Sequence, residues 1–251
     1  MYKIKGCRIM NPKVVVMDLG STIIDNYEIN FKRGFKYIYD NYCLHDVSFE
    51  DFIIDMDSIY INSFQKRDND DFEINFHNYL RYMSNVVGFK EDVDYDMLER
   101  KFIDHGFLSS KVEGVEEFLE YVKKLGIDIY ILSNSCLTGK ALKYELSRVG
   151  LDGYFKEVFS SADYLMRKPN RLFFNIITKY LKRMYKDLDL KDVWYIGNDY
   201  KFDVFGACMV GLKSVWLNRN HEPNVEQFRC MDVPSYEALV DYLRRVNHDK
   251  I

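Results

Sequence analysis

Four short polar segments of this chain carry residue types that could perform chemistry, and each comes after a run of apolar residues. The runs are VVVM, IDIYIL, EVFS and VWYI, and the polar side chains after them are Asp18, Ser133, Asn134, Lys168, Asn198, Asp199 and Asp203. A carboxylate can attack a phosphoryl group and form an aspartyl-phosphate. A lysine, a hydroxyl and backbone N–H groups can neutralise phosphoryl oxygens, and oxygen ligands can hold Mg²⁺. The residue types therefore fit phosphoryl transfer.

Taken singly, each of these residues has an ordinary structural explanation. An acid after a strand, such as Asp18, is often a turn or cap residue, and Ser133 or Asp199 could cap a following helix. Lys168 alone is typical of a solvated surface residue. Their shared position favours a site, because ligands in doubly wound folds bind outside the carboxyl ends of the strands.

Strands and helices alternate along most of the chain, which predicts the sheet that would bring the four segments together. Residues 14–17 are apolar without polar alternation, as in a strand buried on both faces. Further strands are predicted at 127–132, 157–160, 193–196 and 214–217, and helices at 115–126, 139–150, 169–185, after residue 203 and from 235 to about 246. This alternation predicts an α/β fold with a doubly wound parallel sheet.

The segment from about Asn26 to about Lys111 has a different pattern. Aromatic and aliphatic residues recur there three and four positions apart, which is typical of amphipathic helices, and strand signals are few. The pattern predicts an all-helical domain at 26–111, inserted between core segments at 1–25 and 112–251.

Composition and charge restrict the class of protein. The chain has 251 residues, of which 47% are hydrophobic and 29% charged, as in ordinary globular proteins. A net charge of −4 without a lysine-arginine stripe does not predict a nucleic-acid partner. The apolar runs are too short for a membrane span, and MYKIKGCRIMNPK lacks the apolar stretch of a signal peptide. Five scattered cysteines without a C-x-x-C pair predict reduced thiols in the cytoplasm.

The segments DLGST, LSNS, RKPN and GNDYKFDVFGA resemble, in order, the four motifs of the haloacid dehalogenase-like hydrolase superfamily. The resemblance extends over nearly the whole chain from Lys13 onward. It implies a Rossmann-like core, and the helical insert resembles the cap of the subfamily whose cap lies between motifs one and two. It also implies that Asp18 is the nucleophile and that Ser133 binds the phosphoryl group with Asn134 beside it. Lys168 would hold the oxygens of the nucleophile and of the phosphate.

The same resemblance implies a magnesium ion and a small phosphorylated metabolite as substrate. The ion would be held by Asp18, by the backbone carbonyl of Gly20 and by motif four, which contains Asn198, Asp199 and Asp203. Cap residues would set the choice of substrate. The sequence indicates neither the individual substrate nor an oligomeric state.

Two positions depart from the family pattern. Phosphatases of the family usually have a second aspartate two places after the nucleophile, where it acts as general acid and base. This chain has Gly20 there, which we expect to permit a tight turn. The candidates for the missing acid-base function are Asp25, His45, His77 and His105. Asn198 stands where motif four usually has its first acid and Asp199 follows it, so either could reach the metal.

Three functions stay open on these residues. The favoured one is a Mg²⁺-dependent phosphatase that forms an aspartyl-phosphate. A metal-independent 2-haloacid dehalogenase would use the same aspartate, although those enzymes tend to have a tyrosine in place of Gly20 and an acid-poor motif four. A catalytically impaired binding protein of the same fold is favoured by Gly20 and Asn198. The scattered histidines lack an H-x-x-x-H spacing, so a zinc site is not predicted.

Overall fold

The computed structural model describes residues 11–44, 46–90, 92–223 and 230–248. A parallel sheet forms the core, with strand order β5-β4-β1-β6-β7-β8. Its strands are β1 (Val14–Met17), β4 (Asp128–Ser133), β5 (Phe155–Ser160), β6 (Val193–Gly197), β7 (Lys213–Leu217) and β8 (Met231–Val233). The predicted parallel sheet is confirmed, and β1 lies between β4 and β6, so the segment after it is in the middle of the sheet edge.

Helices cover both faces of this sheet. The core helices are α5 (Val115–Lys124), α6 (Gly139–Arg148), α7 (Arg171–Met184), α8 (Gly206–Met209) and α9 (Tyr236–His248). Side chains alternate along β1, so Val15 and Met17 pack with α5, α6 and α9, while Val14 and Val16 pack with α7 and α8. All four side chains are fully buried, which explains why the strand has no polar alternation.

The inserted segment packs four helices above the sheet edge. They are α1 (Phe31–Tyr42), α2 (Phe49–Asp70), α3 (Phe76–Val87) and α4 (Tyr95–Gly106). Their shared core is aromatic: the ring of Phe102 lies 4.4 Å from that of Phe76 and 4.8 Å from that of Phe35. The aromatic spacing in this segment therefore reflects packing between helices.

The ends of this segment are strands, which the sequence pattern did not predict. Antiparallel strands β2 (Ile24–Ile29) and β3 (Phe107–Lys111) form a two-stranded ribbon that connects the helices to the core. We expected helix from about Asn26 to about Lys111. That expectation was wrong at both ends, because each strand is short, polar in part and stabilised by a partner distant in sequence.

Several core elements also differ from the predicted boundaries. Strand β8 was missed, since its three residues pair with β7 on one side only. Helix α7 begins at Arg171 with Asn170 as its N-cap, so Pro169 precedes the helix. A π-helical turn (Tyr200–Phe205) precedes α8, and Ser235 caps α9, as expected, by accepting from the Ala238 N–H. Among the described residues, no helix has the length and apolar character needed to cross a membrane.

Close packing of α1 against α4 generates a stability prediction at Gly34. A Cβ added there would lie 2.6 Å from the Phe102 ring and 2.9 Å from the Phe102 backbone oxygen. We therefore expect Gly34→Ala to lower the free energy of unfolding by about 1–3 kcal/mol, although alanine favours helix. Urea unfolding followed by circular dichroism measures this.

Gly153→Ala is the matched control, because an added Cβ at Gly153 would meet no atom within 4 Å. Equal stability of the two variants would show that α1 and α4 do not require this close approach.

Candidate active site

Asp18 lies at the carboxyl end of the central strand. Its backbone N–H donates to the Ile196 carbonyl at 2.9 Å, which continues the pairing of β1 with β6 by one residue. The carboxylate is buried, with the residue 7% exposed. The chain then turns at Ser21, whose φ is 55°. Gly20 does not have a positive φ, and an added Cβ would meet nothing within 4 Å, so the turn does not require glycine there.

Lys168 reaches Asp18 from the loop that follows β5. Its ammonium nitrogen lies 2.5 Å from Asp18 Oδ1, 2.7 Å from Asp203 Oδ1 and 3.0 Å from the Tyr195 hydroxyl. The residue is 2% exposed, so the solvated-surface interpretation is excluded. Lys168 therefore contacts both the nucleophile candidate Asp18 and the motif-four acid Asp203.

Asn134 fixes the backbone of Lys168. Its Nδ2 donates to the Lys168 carbonyl at 3.0 Å, and its Oδ1 accepts from the Lys168 N–H at 2.6 Å. Ser133 is the last residue of β4 and lines the cavity beside Asp18, whereas Thr138 caps α6. Ser133 is thus not the helix cap, and the amide of Asn134 is occupied by the lysine segment.

Asp203 is directed by three neighbours. Its Oδ1 contacts Lys168 and lies 3.2 Å from the Tyr195 hydroxyl, and its Oδ2 accepts from the Asp199 N–H at 3.0 Å. A Cβ on Gly197 would lie 2.2 Å from Asp203 Oδ2, so only glycine leaves room for this carboxylate. No chemical role was predicted for Tyr195 from the sequence, and a hydroxyl within the otherwise apolar VWYI strand was the available signal.

Asn198 and Asp199 occupy different positions. The Thr22 hydroxyl lies 3.0 Å from Asn198 Oδ1 and 3.2 Å from Asp18 Oδ2, so these two oxygens converge. Asp199 Oδ1 instead accepts from the Phe202 N–H at 2.7 Å and caps the π-helical turn. The structure places the amide beside the nucleophile and gives Asp199 the cap position. Thr22 is a further residue whose role the sequence did not indicate.

Burial dominates the electrostatics of Asp18. Desolvation raises the pKa of Asp18 to about 6, and Asp203 adds to this while Lys168 opposes it. Burial also raises the pKa of Asp199. Burial lowers the pKa of Lys168, but Asp18 and Asp203 outweigh it and keep the lysine charged. Acids exceed the single lysine here, and with the converging oxygens of Asp18 and Asn198 they fit a hard divalent cation.

A cavity of about 290 Å³ opens beside Asp18, between the core and the inserted helices. Gly20, Ser133 and Asn134 are among its lining residues, and most of its wall is apolar, with Ile24, Ile29, Phe31, Phe107 and Leu142. Glu145 is the acid in the wall; it contacts the Ser109 hydroxyl and lies 2.7 Å from Arg148 Nη1. The sequence did not indicate Glu145, because it reads as part of an amphipathic helix.

The described acid-base candidates are not in the cavity wall. Asp25 forms a two-pronged ion pair with Arg219, with both distances 3.0 Å. His77 faces Asp96 and Glu99, and His105 stacks on Tyr37. His45 lies outside the described residues. The structure therefore does not bring Asp25, His77 or His105 to the nucleophile.

A Rossmann-like core with an inserted cap and an Asp18–Lys168–Asp203 cluster at the sheet edge defines a class of hydrolases. The family model described as haloacid dehalogenase-like hydrolase matches residues 15–217. The chain belongs to this family.

Curated relatives that match this chain share less than a third of the aligned residues with it. YfnB of Bacillus subtilis (strain 168), named as a HAD-hydrolase, is 24% identical over 62% of this chain and 63% of its own length. The pyrimidine 5'-nucleotidase PynA of Streptococcus pneumoniae is 28% identical over 56% of this chain and 57% of its own. The matches thus span less than two thirds of these relatives.

Solved structures share the fold over nearly the whole chain. A form of YfnB bound to magnesium covers 93% of this chain and 99% of its own, with a TM-score of 0.56 and 18% identity. A 2-haloacid dehalogenase from Pseudomonas syringae pv. Tomato DC3000 covers 93% and 99%, with a TM-score of 0.61 and 16% identity. These likenesses establish the fold, but they do not distinguish phosphate-ester hydrolysis from dehalogenation.

The raised pKa of Asp18 generates a prediction about stability and pH. Its folded-state pKa of about 6 exceeds the ordinary 3.8, so the folded protein binds this proton more tightly than the unfolded chain. The stability of the metal-free protein should therefore fall as pH rises from about 4 to about 6. Asp18→Asn should remove this loss and be about 1–3 kcal/mol more stable at pH 7.

Denaturant unfolding at several pH values, with a chelator present, measures this difference. Asp152→Asn is the control, because Asp152 is exposed to solvent. If wild type and Asp18→Asn lost stability in parallel across this pH range, the pH dependence would not arise from a raised pKa of Asp18.

Proposed function

We propose that this protein is a Mg²⁺-dependent phosphatase that hydrolyses a small phosphate monoester through an aspartyl-phosphate on Asp18. The observation that carries the proposal is the buried Asp18 carboxylate, held 2.5 Å from the Lys168 ammonium and followed by Leu19 and Gly20, which line a cavity together with Ser133. In this proposal a nucleophile, a positive charge and a hydroxyl donor surround one phosphoryl group.

The proposed reaction has two steps, formation of the aspartyl-phosphate and its hydrolysis. A carboxylate oxygen of Asp18 forms a bond to phosphorus, the ester P–O bond breaks, and its electron pair leaves with the alcohol oxygen, which then takes a proton. Water next attacks the phosphorus, and the bond between phosphorus and the Asp18 oxygen breaks. Its electron pair returns to the Asp18 carboxylate, the attacking water gives a proton to solvent, and inorganic phosphate leaves. Lys168 and the Ser133 hydroxyl hold the phosphoryl oxygens, and Asn134 holds Lys168 in position.

The residues that would hold the magnesium ion are Asp18, the Gly20 carbonyl and Asn198, with Asp199 and Asp203 behind them. When bound, the ion supplies positive charge against the phosphoryl oxygens. Asn198 is favoured over Asp199 for direct contact, because its amide oxygen converges with Asp18 Oδ2 on Thr22. Both carboxylate oxygens of Asp203 already have partners, so we assign it mainly to holding Lys168. The magnesium bound to YfnB supports the choice of ion.

The cavity favours certain leaving groups. Its mostly apolar wall suits a flat or apolar group, and the buried Glu145 carboxylate disfavours anionic ones. Nucleoside monophosphates fit this description better than phospho-organic acids, and the name of the relative PynA, a pyrimidine 5'-nucleotidase, supports them. We also propose a cytoplasmic location, which is supported by the absence of a disulfide among the described cysteines Cys43, Cys136, Cys208 and Cys230.

The two other functions have different signatures. A dehalogenase would release halide from 2-haloacids without metal. A binding protein of this fold would bind a phosphate ester without turnover, and the absence of an acid at Gly20 favours it. The intact contact of Asp18, Lys168 and Asp203 supports turnover instead, because a pure scaffold does not require this buried charge cluster.

The first assay measures phosphate release from p-nitrophenyl phosphate with and without Mg²⁺. This leaving group barely requires protonation, so Gly20 should matter little. We expect Mg²⁺-dependent turnover in wild type and a loss of at least about 10³-fold in Asp18→Asn, since the nucleophile is removed. Circular dichroism confirms that the variant is folded. Equal turnover of the two proteins would refute the nucleophile assignment, and no turnover with any metal would favour the binding protein.

The open space at Gly20 permits a gain-of-function test. An added Cβ there meets no atom within 4 Å, so Gly20→Asp should fold normally and supply the missing acid. We expect it to accelerate hydrolysis of phenyl phosphate by about 10²-fold or more, within the 10²–10⁴ typical of general acid catalysis, and to change the hydrolysis of p-nitrophenyl phosphate little.

Gly20→Asn is the matched control, because it adds similar bulk without a proton to donate. If both variants changed both substrates equally, the acid-base role of this position would not hold in this chain.

A further inference from the structure

A second cluster of potential metal ligands lies in the inserted helices, outside the active-site cavity. It combines His77 of α3 with Asp96 and Glu99 of α4. His77 Nε2 is 3.3 Å from Glu99 Oε2 and 3.6 Å from Asp96 Oδ1. One donor atom from each residue lies within 4.8 Å of the other two.

The imidazole nitrogen is the first reason to consider a cation here. His77 Nε2 is buried, and among the described residues it has no hydrogen-bond partner of normal geometry. Two carboxylates nevertheless face it, and Glu99 is 1% exposed. A neutral imidazole with a lone pair toward two carboxylates is unfavourable, so a positive charge must lie between these atoms or on the ring.

The spacing of the atoms is the second reason. Zinc is bound by histidine nitrogen and carboxylate oxygen at about 2.0–2.2 Å in tetrahedral sites, which separates neighbouring ligand atoms by roughly 3.3–3.5 Å. The two separations from His77 Nε2, 3.3 and 3.6 Å, are close to this edge length, and the donor oxygens of Asp96 and Glu99 lie within 4.8 Å of each other. Larger, oxygen-preferring cations such as Ca²⁺ would require more ligands and no nitrogen.

The ligands are also oriented by their neighbours. Glu99 Oε1 accepts from the Thr138 N–H at 2.8 Å, and Glu99 Oε2 accepts from the Thr138 hydroxyl at 2.6 Å. Lys140 lies 2.6 Å from Asp96 Oδ2, which leaves Asp96 Oδ1 toward His77. Such second contacts typically fix metal ligands and set their basicity.

We propose that His77, Asp96 and Glu99 bind a borderline divalent cation of the Zn²⁺ or Co²⁺ type, separate from the magnesium site at Asp18. The cation links α3 to α4, and water completes its coordination. Through Glu99 and Thr138 it also ties the inserted helices to residues 135–137, which line the active-site cavity. The histidine spacing gave no sign of this site, because its ligands come from two helices.

Cobalt titration tests the proposal directly. A Co²⁺ ion bound with imidazole in low coordination gives a visible absorption band, whereas Co²⁺ held by oxygens and water at the Asp18 site absorbs weakly. We expect a band that saturates at one Co²⁺ per chain, that Zn²⁺ abolishes by competition, and that persists in Asp18→Asn. His77→Gln should lose it.

His105→Gln is the matched control. It removes a different histidine, which lies in α4 outside the cluster and stacks on Tyr37. Its band should be unchanged. Asp96→Asn provides a second variant, read in the same way, if circular dichroism shows that His77→Gln is unfolded.

Two results would overturn the proposal. One is a wild type with no cobalt band and no rise in melting temperature on adding Zn²⁺, in which case His77 carries a proton as the positive charge. The other is a band that survives in folded His77→Gln or Asp96→Asn, which would place the bound metal elsewhere. Neither result depends on phosphatase activity.

Discussion

The contact of one buried ammonium with two carboxylates is the interaction on which the rest of the site depends. Removing Lys168 from water costs several kcal/mol, and Asp18 and Asp203, which both lie within hydrogen-bond distance of its ammonium, offset that cost. These carboxylates follow neighbouring strands, β1 and β6, so their separation is set by strand pairing. The lysine arrives from a third segment, whose backbone Asn134 holds on both sides. The register of the sheet therefore determines the charge geometry.

The same contact leaves the site with more negative charge than the lysine can balance. Asp18, Asp203 and the nearby Asp199 face a single ammonium, and burial strengthens their mutual repulsion. With this excess of negative charge, the site attracts a cation and, without one, repels an anionic phosphoryl group. A bound cation removes that repulsion. Metal and phosphoryl group should therefore bind together, with the Asn198 amide supplying an oxygen without adding to the repulsion.

The sequence was sufficient to predict the parallel sheet and the convergence of Asp18, Ser133, Lys168 and motif four, because each follows a buried strand that the apolar pattern marks. It was insufficient where a role depends on a distant partner. Tyr195 and Asn134 support the lysine only through the tertiary fold, and the β2–β3 ribbon exists only through pairing of residues far apart in the chain. The sequence left both Asn198 and Asp199 as candidates for the metal, but local backbone geometry makes Asp199 a cap, and Asn198 and Asp18 both contact the Thr22 hydroxyl.

The fold does not explain why residue 20 is glycine. An added Cβ at this position would meet no atom within 4 Å, and the residue of the turn with a positive φ is Ser21, so the fold does not exclude an aspartate there. The wall of the cavity offers Glu145 as its acid, but that carboxylate is engaged by Ser109 and Arg148. Under the proposed function, the absence of a free acid among the described lining residues favours esters whose alcohol leaves easily. Leaving-group chemistry, as much as the shape of the cap, should then select the substrate.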